Sequence, residues 1–464
     1  MNHPLQATID NADLLSYIFH YLQLSDLKLS LCSFPQVSRR WRTSAFTSDN
    51  VFWKSLTTSW WTPPSTVVVM LAPTLAPPPS PTSPFPLIPH PTYRDTWIAW
   101  AKYTKFEDFP CSKTSQFVHG YARMVESWSL VIKYNHDNDL QHIQDTLRIH
   151  SVCPSRMEKE ECHPHIAAFF SVVDGQIGFR GFELPYSAQL GGFVCYDYEY
   201  STFLISIDNQ PTDLNDEMIS VSRNNLENDM TGAAVNSETG KIWQMERTDS
   251  GELELEDTGV DILDWFAEFA RRCDRSILRA DRQTIHKGKL IKGVSSFCRG
   301  EHRQHCSNVS HGVRVSISTL RLKHAGWVYQ VSIQVTDGDA DAAAGAGVGK
   351  FQLVERHWVI TRLNSSGDET SSEDIRGPGV IGEFPTFDFS DTEASPFQYT
   401  SCSGPDVTSV EASREAARRL AVSGEDSVAP AARFDGEFRM RRENGTFFDV
   451  AVPRFFLYFA KYSY

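Results

Sequence analysis

Gly377, Gly379 and Gly382, followed by Glu383, spell a Gly-x-Gly-x-x-Gly spacing. In a dinucleotide-binding turn that spacing lets backbone N–H groups meet a pyrophosphate at a helix N-terminus. Here Pro378 supplies no N–H, and Glu383-Phe384-Pro385 leaves no room for a helix to start. Two readings stay open: glycines that permit a bulge or close strand pairing, or a loop that takes a phosphate. Cys298, His302, His305 and Cys306 offer zinc-ligand atoms, as do Cys162, His163 and His165. Neither group has the paired spacing of a zinc finger, so no metal and no cofactor is expected. The sequence also lacks a Gly-x-Ser-x-Gly elbow, a Gly-Lys-Ser/Thr phosphate loop and a His-Glu-x-x-His helix, and no catalytic residue is expected.

The elements that would hold such residues belong to a chain too long for one core. With 464 residues, 41% of them apolar and 22% charged, two or three globular domains are expected. Lysine and arginine total 44 against 58 acids, a net charge of −14. Nucleic-acid binding needs concentrated positive charge, and the one basic stretch, 271–292, is diluted by Asp274 and Asp281 and reads as a solvated helix face. Nine cysteines without framework spacing point to reduced thiols. No apolar run approaches the roughly 18 residues of a membrane helix. The expectation is a soluble protein of the cytoplasm or nucleus that binds neither membrane nor nucleic acid.

Four segments are visible. Residues 10–58 are helical in pattern. Residues 62–92 hold eleven of the 24 prolines and read as an extended linker. Residues 93–290 mix helical and strand patterns. Residues 305–460 alternate as half-buried antiparallel strands, with Val313, Val315 and Ile317 on one face and Tyr329, Val331, Ile333 and Val335 on another. Two low-complexity stretches, Asp337–Gly349 and Gly404–Ala432, are expected to be mobile surface loops, the second with a short helix over Arg414–Leu420.

The first segment carries Leu14-Leu15, Ile18-Phe19, Leu24-Ser25-Asp26-Leu27, Val37-Ser38-Arg39-Arg40-Trp41 and Phe52-Trp53-Lys54-Ser55-Leu56. This series resembles the F-box. The resemblance implies docking on the Skp adaptor of a cullin-RING ubiquitin ligase through Leu14, Leu15, Ile18, Leu24, Leu27, Trp41 and Trp53. The Cys/His array of a RING domain is absent, so the chain would not itself be the catalytic ligase subunit.

The middle segment runs from Pro164–Phe170, through Asp174-Gly175-Gln176 and the strand-like 192–196 and 201–207, to Ile262-Leu263-Asp264-Trp265-Phe266. The order resembles the Smi/Knr-like (SUKH) fold, an α+β protein-interaction module. The last segment carries Arg356–Thr361, Ile375–Pro385, Phe397–Cys402, Gly436–Met440 and Phe447–Phe455. These five motifs resemble the ApaG domain, which implies an immunoglobulin-like or fibronectin-like β-sandwich; Gly404–Ala432 stands where that family has a shorter loop.

The fold class expected is therefore multidomain α+β: a small all-α F-box, a proline-rich linker, an α+β SUKH-like domain and a C-terminal β-sandwich. The combination resembles the substrate-recognition subunits of Skp-cullin-F-box ligases, non-catalytic adaptors that hold a protein for ubiquitin transfer. The competing expectation is a ligand-sensing scaffold whose sandwich binds a phosphorylated small molecule.

Overall fold

The computed structural model describes residues 112–144 and 162–176, and most of the chain from 188 to 460 apart from 208–209, 211–213, 225–231, 248–251, 286–288, 323–325, 337–348, 404–426 and a few single positions. The F-box-like residues Leu14, Leu15, Ile18, Leu24, Leu27, Trp41 and Trp53, the linker and the Arg414–Leu420 helix lie outside the described residues. No described helix is long and apolar enough to cross a membrane.

The first body packs helices on an antiparallel meander. Helices α1 (Ser112–Asp137), α2 (Gln141–Gln144), α3 (Pro164–Val172) and α4 (Ile262–Asp274) accompany six strands. These are β1 (Gly192–Cys195), β2 (Tyr198–Leu204), β3 (Met218–Asn224), β4 (Gly232–Asn236), β5 (Lys241–Arg247) and β6 (Leu253–Asp261), paired in chain order. Helix α4 forms because Asp261 caps the Leu263 N–H at 2.8 Å and because Ile262, Trp265, Phe266, Phe269 and Cys273 recur at helical spacing. That stripe is buried, with Phe266 set against Trp128 of α1 and Phe169 of α3 at 5.9 and 5.5 Å between rings. On β4 the faces alternate: Ala233 and Val235 join the helices, while Ala234 joins a smaller cluster with Met218 and Met245.

Asp174-Gly175-Gln176 follows α3 and is buried by its own bonds. Asp174 accepts from the Ser206 hydroxyl and the Ile207 N–H, both at 2.8 Å, and Gln176 accepts from the Gln189 N–H at 2.9 Å. Gly175 has a φ of 77°, and a Cβ there would collide with the Ser206 backbone.

The basic stretch 271–292 departs from the helix-face expectation. Helix α4 stops at Asp274, with Ser276 at a φ of 54°. The chain then makes a hairpin of β7 (Ala280–Ile285) and β8 (Lys289–Val294). Arg272 is 4% exposed, and Glu268 receives both it and Arg271. Burial raises the Glu268 carboxyl, and its bonds to the two guanidinium groups outweigh that and hold it below its ordinary range.

The second body is a β-sandwich. One sheet runs β15 (Phe397–Ser403), β11 (Gly326–Val335), β10 (Val313–Leu322), β9 (His305–Ser310). The other runs β13 (Glu369–Pro378), β12 (Lys350–Leu363), β16 (Ser427–Arg442), β17 (Phe447–Ala460), with β14 (Thr386–Asp388) also on β12. The alternation of β10 and β11 is realised: Val313, Val315, Ile317, Tyr329, Val331 and Ile333 are buried between the sheets around Trp358, Phe434 and Phe455. The expected loop Gly404–Ala432 is shorter than its composition suggests. Ser427–Ala432 belongs to β16, pairing with β17 from Ser427↔Ala460 to Ala432↔Leu457. Register shifts flank Pro430, which has no N–H to give the ladder.

Gly175→Ala is expected to destabilise the first body by about 3 kcal/mol, since it adds both a forbidden φ and a backbone collision. A lowered midpoint for the first-body transition in urea, followed by tryptophan fluorescence, is the measurement; an unchanged midpoint would contradict this reading of the turn.

Candidate functional site: a cleft at the seam of the two bodies

The two bodies meet along β1. Gly192 bridges Ser295 in parallel, and the Ser296 N–H donates to the Gly192 carbonyl at 3.1 Å. Phe193 stacks on Tyr200 at 4.6 Å and packs on Phe297 at 5.2 Å, in a buried cluster shared with Val328 of β11. Arg299 donates to the Gln330 side chain and faces Asp281 at 3.6 Å. The Ser318 hydroxyl donates to the Cys298 carbonyl at 2.7 Å. The Cys195 thiol lies 3.9 Å from the Thr400 carbonyl, and burial and the adjacent Cys402 thiol push it up to about 12. The six described cysteines are all free.

Beside this seam the edge strands β13 and β15 leave the sandwich open, and a cleft of 440 Å³ enters between the sheets. Its floor is the core itself, Trp358, Ile360 and Phe434. Period two puts Arg356, Trp358, Ile360 and Arg362 of β12 on the same side, and Tyr399, Ser401 and Ser403 of β15 face them. The first body adds Tyr196, which follows β1 in a left-handed conformation (φ 54°). Its hydroxyl sits 2.9 Å from the Ser401 hydroxyl, which also bonds Tyr329. Tyr399 is 5% exposed, and among the described residues its hydroxyl has no hydrogen-bond partner. Burial, then the neighbouring Tyr329 hydroxyl, raise Tyr399 well above the ordinary phenol range against the pull of Arg356. Burial likewise raises Tyr329. Both hydroxyls therefore stay protonated and can donate.

Arg356 is the cation of the cleft. Its Nη1 donates to the Gly379 carbonyl at 3.1 Å, and among the described residues it forms no ion pair. A Cβ on Gly377 would stand 3.0 Å from its Cζ and from both Nη atoms, so the guanidinium lies flat against that glycine. Arg362 at the rim faces Glu373 at 3.6 Å.

The residues singled out by the glycine spacing lie beside this cleft. Val380 and Glu383 exchange N–H···O bonds at 2.9 and 2.8 Å, so Ile381 and Gly382 form a two-residue hairpin turn. Ile381 (φ 45°) and Gly382 (φ 81°) are both left-handed, as a type I′ turn requires. Gly379 (φ 57°) is bound by its N–H to the Val354 carbonyl, and a Cβ there would collide with the Glu383 carbonyl. The loop leads into β14 rather than a helix. Gly382 lines the cleft mouth, while Gly377 and Gly379 hold Arg356.

The Cys/His candidates of 298–306 do not converge. His305 bonds Ser318, and Cys298 approaches Gln304, with His302 and His305 both drawn down to about 4 by burial and nearby arginines. His163 and His165 do converge, with Asp261, their ligand atoms all within 4.8 Å. Both hold the fold together. The His163 ring accepts from the His165 N–H at 3.3 Å, and His165 meets Asp261 at 2.6 Å, tying the start of α3 to the cap of α4. The cleft residues Arg356, Tyr196, Tyr329, Tyr399 and Ser401 were not among the sequence candidates. They come from four separated strands or turns, and only the alternating pattern that turns Tyr329 inward hinted at any of them.

Comparison with known proteins bears on the second body. Residues 318–410 match the family model described as DUF525, the ApaG domain. Protein ApaG of Nitrosomonas europaea is 34% identical over 106 residues, 23% of this chain and 59% of that protein. Protein ApaG of Paramagnetospirillum magneticum is 29% identical over 134 residues, 29% of this chain and 72% of that protein. The chain thus spans less than two thirds of the length of the first of these relatives. A crystal structure of an ApaA protein from Bordetella pertussis aligns with 31% of this chain and 91% of its own, at 19% identity and a TM-score of 0.20. The C-terminal part of the chain carries an ApaG domain, and its fold is the expected β-sandwich.

Ile381 is a β-branched residue in a conformation that costs it roughly 1–3 kcal/mol. Ile381→Asn, which gives the Asn-Gly pair preferred in this turn, is expected to stabilise the sandwich by about 1 kcal/mol. A scanning-calorimetry melt reads this as a rise of a few degrees; a lower melting temperature would mean that the Ile381 side chain contributes more through contact than it loses through strain.

Proposed function

We propose that this chain is the substrate-recognition subunit of a Skp-cullin-F-box ubiquitin ligase, with no catalytic centre of its own. In this reading the F-box-like residues Leu14, Leu15, Ile18, Leu24, Leu27, Trp41 and Trp53 dock on the Skp adaptor. The first body is a Smi/Knr-like interaction module, and it and the ApaG sandwich together hold the protein to be modified. The observation that carries the binding half is the cleft, an open concavity with an apolar floor and a few convergent polar groups, the usual form of a recognition site. Its walls come from both bodies, so the pair acts as one receptor. The gain for ubiquitin transfer is proximity: a tethered substrate meets the charged enzyme at high effective concentration. The cytoplasm and nucleus, where such ligases work, are the compartments this reading requires.

A second reading, a scaffold that senses a phosphorylated small molecule, draws on Arg356 in the cleft. It has less support. The N–H groups of Gly379, Val380 and Glu383 are already bound to backbone carbonyls, so the loop offers few donors for a diphosphate.

Calorimetric titration of the full chain with the Skp adaptor tests the first reading. Micromolar or tighter binding is expected for the wild type and none for the Leu15→Asp/Leu27→Asp double mutant, because a few residues at an interface centre carry most of its energy and a buried unpaired carboxylate there is costly. A folded wild-type chain that leaves the adaptor unbound would sink the proposal.

A further inference from the structure

We propose that the seam cleft binds a carboxylate carried on an apolar body, and that the C-terminus of a captured protein is its source. The inference rests on reading the chain as a receptor and names what the receptor would hold. Three features of the cleft select that chemistry.

The first is charge. Among the described residues Arg356 is the one guanidinium of the cleft without a carboxylate, since Arg362 is offset by Glu373. Its Nη1 is used by Gly379, which fixes the group flat under Gly377 and leaves the rest of its N–H edge for a ligand. A half-buried cation without a counter-ion is costly unless an anion arrives. One net positive charge matches a monoanion. A phosphate dianion would meet a single cation, the rim carboxylate of Glu373 and a chain of net charge −14.

The second is the donor set. The Tyr399 hydroxyl is buried, lacks a partner among the described residues, and feels the charge of Arg356, which lines the same cleft with Tyr329 and Tyr196. A buried polar group left unpaired forfeits roughly 1–3 kcal/mol, and a ligand oxygen beside Arg356 supplies the missing acceptor. Two oxygens, one on the guanidinium and one on the phenol, describe a carboxylate.

The third is the floor. Ile375 and Ile381 are open to the cleft over the buried Trp358, Ile360 and Phe434, an apolar bed next to the cation suited to the last side chain of a peptide. The two bulky residues in left-handed conformations, Tyr196 and Ile381, both line the same cleft. The other described non-glycine residues so held, Asp139, Ser276 and His311, are small or polar and lie elsewhere. Strain concentrated on a rim is what a built binding site shows.

The test uses the full chain without the adaptor, so its result is independent of adaptor binding. Fluorescein-labelled octapeptide pools, degenerate except for a final Phe or Leu, are prepared as free acids and as C-terminal amides, and binding is read by anisotropy. The acid pools are expected to bind at least tenfold more tightly than the amides, because an ionised acceptor is lost in the amide. Arg356→Gln is expected to abolish that difference, and Tyr399→Phe, which removes one unpaired buried oxygen from the core, to reduce it severalfold at a melting temperature no lower than that of the wild type. Competition by N-acetylphenylalanine assigns the source. A tenfold advantage of peptide over the free acid supports a protein terminus; equal affinity keeps the carboxylate chemistry and overturns the protein source. Equal binding of acids and amides, no binding of either at millimolar peptide, or stronger competition by pyrophosphate than by N-acetylphenylalanine would overturn the proposal itself.

Discussion

The packing of β1 onto the sandwich is the constraint from which the rest of the site follows. Gly192 has no side chain, so its backbone can lie against the Tyr200 carbonyl and bridge Ser295. That closeness brings Phe193 onto Tyr200 and Phe297 and sets the cluster against Val328. A buried aromatic cluster excludes water and resists sliding, because any displacement opens a void whose lining atoms lose their contacts. Four residues on, Tyr196 is delivered to Ser401 by the same register. Slippage of the seam would therefore remove one wall of the cleft before it disturbed either core.

Within the sandwich, a second constraint sets the depth of the site. Two sheets closed at both edges would leave no space beside the buried Trp358 and Phe434. Here the edge strands β13 and β15 stay apart, and the loop 379–383 roofs the gap. The roof needs glycine for geometry: at Gly377 because the guanidinium lies on it, and at Gly379 because the Glu383 carbonyl occupies the space of a Cβ. The same residues that resemble a phosphate loop in one dimension thus position an arginine in three.

Much of this architecture was legible in the chain. Alternation identified β10 and β11, because a sandwich strand turns every second residue to the facing sheet, and the Ile262–Phe266 motif falls within α4. Composition misled in two places. Ser427–Ala432 is small and apolar, which reads as loop, yet pairing with β17 orders it. The basic run 271–292 looks like a charged helix, yet Glu268 draws Arg272 inside and the chain turns into a hairpin. Local propensity is outweighed in both by partners far along the chain. The cleft was not legible for the same reason: Tyr196, Tyr329, Arg356 and Tyr399 have no common spacing, and only the fold brings them together.

Unfavourable features are not spread evenly over this molecule. Non-glycine residues in left-handed conformations, an unpartnered buried hydroxyl and an unpaired half-buried cation each lower stability in isolation. Scattered, they would be incidental. Here Tyr196, Ile381, Tyr399 and Arg356 line a single concavity. Other buried groups without a partner among the described residues, such as Trp128 Nε1 and Tyr134 Oη, are packed in the first core, away from this opening. A fold selected for stability alone has simple remedies at each cleft position: Asn at 381, Phe at 399, a neutral side chain at 356. Keeping these four costlier choices around one opening is coherent if the same groups gain their partners from a bound molecule, and stability given up in the free chain is then returned as binding energy.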